Sequence, residues 1–186
     1  MNSTLAIILL LADVVFFTIY NAYVLTKFGV PVNLSITYYH LDRVHKGWGI
    51  TFPLLVVFVC CTTLPVWILT SINGSTWGFY FLPLPCITLV CLLAVAFSGR
   101  YKKRPKLIYF HYGCAIIAAT CAVAWLCLVA YQSVFLYLRL GILFALVFAG
   151  IQTGTFKRCT LFWLENAAFY CIFLTLLLVY LIPMPV

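Results

Sequence analysis

Six stretches of this chain, about residues 4–26, 48–70, 77–98, 107–130, 135–155 and 160–182, are apolar over the roughly 20 residues that a helix needs to cross a bilayer. Inside hydrocarbon each backbone N–H and C=O must find its partner within the chain, so segments of this length fold as helices. The expected fold is therefore all-α: a polytopic integral membrane protein with six transmembrane helices in one bundle. The whole of 1–186 forms a single transmembrane domain, because no apolar run is left over for a soluble one. The fifth stretch is the weakest, since it contains Arg139, Gln152 and Thr153. Composition agrees. Only 8% of the residues are charged, against about a quarter in soluble domains, and the mean hydropathy is +1.16.

The links fix a direction. Lys27, Arg43 and Lys46 lie in the first, Arg100, Lys102, Lys103, Arg104 and Lys106 in the third, and Lys157 and Arg158 in the fifth. The even links carry none, and Arg139 is the one cation near the outer side. Ten positive charges against one place the odd links in the cytoplasm and both termini outside. The net charge of +8 then signals contact with anionic lipid headgroups, not nucleic acid. The N-terminal stretch has no basic start and is interrupted by Asp13, so it reads as a retained first span. The nine cysteines lie mostly within apolar runs, with no C-x-x-C pair, and read as small packing residues.

The first link, 27–47, is long enough for a short amphipathic helix, with Ser35 as a plausible N-cap. Ile36, Tyr39, Val44 and Trp48 suit a position along the membrane surface, as an interfacial connector or a recognition loop. His40 and His45 belong to this link.

Ionisable residues inside a span are costly and point to function by default. At a rise of about 1.5 Å per residue, His111 lies roughly 6 Å inside the cytoplasmic end of the fourth span and Glu165 slightly deeper in the sixth. Asn21 and Gln152 reach the same level, and Asn166 neighbours Glu165. These residues are either one polar cluster between helices or separate side chains reaching the headgroups. Helix faces favour the cluster. His111 continues into Cys114, Ala115, Ala118 and Ala122; Gly141, Ala145 and Ala149 lead to Gln152; Ala168, Ile172 and Thr175 align with Glu165. Small-residue faces allow helices to approach closely. Glu165 is the expected partner of His111. Asp13 lies mid-span and needs protonation or a donor, such as Tyr20 or a residue of another span. Arg139 can snorkel outward.

No span contains a lysine, which excludes a retinal-type Schiff base, and P-loop, dinucleotide-binding and H-E-x-x-H patterns are absent. No cofactor and no metal is expected. The leading expectation is a non-enzymatic role, binding or passing a small solute, ion or lipid through the cytoplasmic-side polar layer. One alternative is an intramembrane metal-dependent lipid hydrolase resembling the ceramidase-like group. That group places its histidines within spans, whereas two of the three here are in a link. Another is a scaffold or effector that disturbs the membrane. A homo-oligomer or a membrane partner is compatible with each.

Taken together, "FGVPVNLSITYYHL", "KGWG", "FHYGCA" and "FWLEN" resemble small multi-pass proteins of gut bacteria and their phages. That resemblance implies an inner-membrane location and supplies no activity. It also implies that His111 and Glu165 belong to the shared pattern.

Overall fold

The computed structural model describes residues 3–73, 78–98, 105–130, 145, 152, 154 and 156–181. Among them every regular element is helical: α1 (Ser3–Phe28), α2 (Thr37–Val44), a 3-10 turn (Trp48–Ile50), α3 (Thr51–Asn73), α4 (Gly78–Phe81), α5 (Pro83–Phe97), α6 (Pro105–Ala130) and α7 (Phe156–Leu181). Four helical stretches are long and apolar enough to cross a membrane: Ser3–Phe28, Trp48–Ile72, Lys106–Trp125 and Cys159–Leu181. The third expected span is split instead. Pro83 and Pro85 open a separate helix there, since proline fits a first turn and breaks an interior one. The fifth expected span lies outside the described residues, apart from Ala145, Gln152 and Gly154.

The helices form a ring. α1 packs on α3, α3 on α5, α5 on α6, α6 on α7, and α7 returns to α1. α1 shows why this arrangement suits lipid. Leu5, Ile8, Leu11, Val15, Phe16 and Ile19 point outward, while Ala6, Leu10, Asp13, Phe17, Asn21 and Val24 are buried. Asp13 and Asn21 are on the inner face, and the outer face is lined by large apolar side chains. A soluble helix has the opposite pattern. Toward the other end of the ring from the α3 N-terminus, Trp67 of α3 meets Trp125 of α6 edge-on, and Trp125 Nε1 donates to Ser71 at 2.9 Å.

The first link departs most from expectation. It does not lie along the surface. Gly29, with φ +71°, closes α1 by donating to the Leu25 carbonyl, and the chain then turns inward. Asn33, Leu34, Ser35, Thr37, Tyr38 and Leu41 are all buried. The later part is exposed throughout 43–48, whereas in the earlier part Val32 faces outward between buried neighbours. Ser35 is not an N-cap: α2 begins at Thr37 without a side-chain cap. Asn33 does the local work instead, accepting from the Ile36 N–H at 2.8 Å and the Ser35 hydroxyl at 3.1 Å. The link returns to α3 through Gly47, whose φ of +95° is a left-handed position.

Gly49 marks the tightest approach. A Cβ there would stand 2.7 Å from the Tyr38 carbonyl oxygen, which is backbone and cannot swing away. Gly49→Ala is expected to lower stability by about 1–3 kcal/mol, the usual cost of overpacking. Gly113→Ala, where nothing lies within 4 Å, should leave the melting temperature in detergent unchanged or raise it.

Candidate functional site

The inward-folded link ends as a polar turn, Asn33–Thr37, which three walls of the ring hold in place. On the α7 side, alternate positions of the link meet every third residue of the helix. The Val30 carbonyl accepts from Cys159 Sγ at 3.4 Å, the Val32 carbonyl from the Phe162 N–H at 3.1 Å, and the Leu34 N–H donates to Glu165 Oε2 at 2.6 Å. Residues 159, 162 and 165 share a face because side chains three apart neighbour each other on a helix. The Phe162 N–H is free to do this because Cys159 breaks the helix, with φ −130° and ψ 31°. The regular turns restart beyond the break, where the first amides lack an intrahelical acceptor.

On the α5–α6 side the anchor is His111. Its Nε2 lies 3.0 Å from Ser35 Oγ and its Nδ1 2.8 Å from Ser98 Oγ. Ser98 caps the end of α5 and donates to the Val95 carbonyl at 3.1 Å, and the imidazole bonds that carbonyl too. Last-turn carbonyls have no intrahelical donor, so they are available for this. On the α1 side, the Tyr20 hydroxyl bonds Thr37 Oγ1, which donates to the Leu34 carbonyl at 2.5 Å.

His111 and Glu165 therefore do not bond each other. They hold adjacent link residues, Ser35 and Leu34, and their connection runs through the turn. Asn21 is buried but donates to the Phe17 carbonyl of its own helix at 3.0 Å, and its Oδ1 has no partner among the described residues. Asn166 likewise turns back to the Phe162 carbonyl at 2.9 Å. Gln152 is exposed, so it does not enter a buried layer. Arg139 lies outside the described residues.

Asp13 stands apart. Fully buried, it meets two adjacent hydroxyls of α3, Thr62 at 2.5 Å and Thr63 at 2.8 Å. Its donors come from another span, and Tyr20 is engaged elsewhere. His40 stacks on Phe28 with ring centroids 5.4 Å apart, and His45 packs on Trp48 at 4.7 Å. Among the described residues no three His, Cys, Asp or Glu side chains come together as a metal site would need.

Above the turn, the ring encloses a cavity of about 250 Å³. Its wall is apolar: Phe52, Val56 and Val59 of α3 face Ala115, Ala118 and Ala122 of α6, with Ala168 and Ile172 of α7 between. The small-residue faces of α6 and α7 thus border a space and are not sealed against each other. The polar side chains reaching it, among the described residues, are Tyr20, Ser35, Thr88 and Glu165. Thr88 is committed to the Leu84 carbonyl at 2.9 Å. The other three belong to the turn and its clamps. Ala119, Leu161 and Leu164 line the cavity and are also exposed, so its exposed side is toward α6 and α7.

No family model, curated protein or solved structure matches the chain. Ser35, Ser98 and Thr37 are the functional candidates that sequence reading missed. One signal was available: "FGVPVNLSITYY" carries no charge, and the link's acid and cations are confined to Lys27 before it and to Asp42, Arg43 and Lys46 after it.

The two acids should respond differently to substitution. Glu165→Leu strands the buried Leu34 N–H and should cost about 1–3 kcal/mol, while Glu165→Gln keeps an acceptor and should cost less than half of that. Asp13→Leu frees two threonines that can turn to their own helix carbonyls, as Thr62 already does at 2.8 Å from Phe58 O. It should change stability by no more than about 1 kcal/mol. Thermal melting in one detergent ranks the three variants.

Proposed function

We propose that this chain is a six-span inner-membrane protein that binds an amphiphile, with the apolar chain in the ring cavity and the polar end at the Asn33–Thr37 turn. The observation that carries this reading is the asymmetry of the cavity. Its walls are hydrocarbon, and its polar groups gather at one end around Ser35 and Glu165. Binding sites for small molecules have this character: mostly apolar, with a few placed polar groups that set orientation. The groups at that end are uncharged apart from Glu165, so the preferred polar end is neutral or hydrogen-bond donating, as in an alcohol, ester or amide. Membrane lipids are the natural source of such a ligand.

Passing an ion through the bilayer is less well supported. Asp13 is held by Thr62 and Thr63 and does not line the cavity, so among the described residues the cavity does not join it to the polar turn. The orientation rests on the charge of the links: ten cations in the odd links put the polar turn on the cytoplasmic side.

Purification in native-membrane nanodiscs, followed by extraction and mass spectrometry, should recover an amphiphile above its abundance in the surrounding lipid. Ala118→Phe with Ala122→Phe fills the cavity and should abolish that enrichment. Equal recovery from both proteins would refute the binding site. For topology, a single reporter cysteine at Lys103, with the native cysteines replaced, should react with an impermeant maleimide only after permeabilisation. Reaction in intact cells would reverse the orientation.

A further inference from the structure

We propose that Ser35 is a nucleophile activated by His111, and that the cavity presents the ester of an acyl-chain amphiphile to it. The proposal rests on the binding reading above and adds a reaction to it. Of the Ser35–His111–Ser98 chain, only Ser35 lines the cavity; the imidazole and Ser98 lie behind it, buried. A hydroxyl that faces a ligand space, backed by an imidazole at 3.0 Å, has the arrangement of a nucleophile and its general base.

Proton placement supports the same assignment. Ser98 has one hydroxyl proton, and the Val95 carbonyl at 3.1 Å takes it. Ser98 Oγ then remains as an acceptor toward Nδ1, and the ring's bond to the Val95 carbonyl likewise requires a ring N–H. With the proton on Nδ1, Nε2 carries the lone pair, and that lone pair faces Ser35 Oγ. The ring is held in this tautomer by backbone and hydroxyl, a task a carboxylate performs in other serine enzymes. The Ser35 hydroxyl also reaches Asn33 Oδ1 at 3.1 Å, so its proton has two acceptors, and rotation about the Cβ–Oγ bond carries it from Asn33 to Nε2 for the reaction. Glu165 bonds the neighbouring backbone and not the imidazole, which makes it a positioning residue for the turn.

In the first half-reaction, Ser35 Oγ forms a bond to the acyl carbon while the ester C–O bond breaks. The Ser35 proton passes to His111 Nε2 and then to the departing alcohol. In the second, water attacks the acyl carbon, gives its proton to Nε2, and the acid leaves as Ser35 Oγ recovers a proton. No oxidant, metal or cofactor enters the balance.

The test uses full-length protein in nanodiscs treated with a dodecyl fluorophosphonate, and follows the adduct by intact mass and peptide mapping. Wild-type protein should be modified at Ser35, and Ser35→Ala should not be. His111→Ala should slow modification at least about 100-fold, the least that a positioned base contributes. His111→Gln, which can still bridge the two serines, should be as slow while retaining the wild-type melting temperature, separating loss of the base from loss of the fold. No adduct on Ser35, or an adduct formed in the His111 variants as fast as in wild type, overturns the proposal. Amphiphile recovery from the same samples keeps the two readings apart. Recovery without an adduct refutes the nucleophile alone, whereas loss of enrichment refutes the cavity reading.

Discussion

The buried turn at Asn33–Thr37 is the interaction on which the rest of this structure depends. Neighbouring helices in a bilayer gain little from hydrophobic association, because lipid tails are as apolar as leucine. Their mutual position must come from packing and from hydrogen bonds with no alternative partner. The turn supplies such bonds to three separated walls at once: α7 through Glu165 and the Phe162 amide, α5 and α6 through Ser98 and His111, and α1 through Tyr20. The Leu34 N–H and the Val30 and Val32 carbonyls would lose their α7 partners if the link moved out of the ring. The link is therefore a structural member of the ring.

The two acids within the apolar helices, Asp13 and Glu165, show how differently such a helix can accommodate a carboxyl group. Asp13 is met by side chains only, and its threonines have carbonyls of their own helix to fall back on. Glu165 is met by a backbone amide, that of Leu34 in the link. The first arrangement is locally self-sufficient, and the second ties a distant segment to α7. Sites that organise a molecule are those where partners cannot replace one another, and the Glu165 end is of that kind.

Much of the architecture was legible in the sequence, because length, hydropathy and proline placement act locally. The ends of α1, α6 and α7 lie within a few residues of the apolar stretches, and Pro83 and Pro85 explain why the third stretch is not one uninterrupted helix. The helical period also put His111 on the face of Ala118 and Ala122, both buried. The pairings were not legible. Depth alone put His111 and Glu165 in one layer, but helix register cannot show that a link enters between them. Ser35 looked like a cap because capping and bridging use the same hydroxyl. Thr62 and Thr63 drew no notice because apolar spans often carry threonine, and nothing local distinguishes one that meets an aspartate.

The persistence of an open space in such a ring follows from the same balance of forces. A soluble core would collapse onto a 250 Å³ void, since each empty surface forfeits dispersion contacts and water presses the helices together. Here the polar turn fixes the spacing at one end, and the Trp67–Trp125 pair holds α3 and α6 apart further along. The alanines between them are too short to meet the opposite wall. Water is a poor occupant, because a molecule there would find few of the two to four polar partners it needs. A hydrocarbon chain restores the missing contacts at no hydration cost. The geometry that stabilises the turn thus also leaves an apolar space beside it, with Ser35 and Glu165 at its polar end.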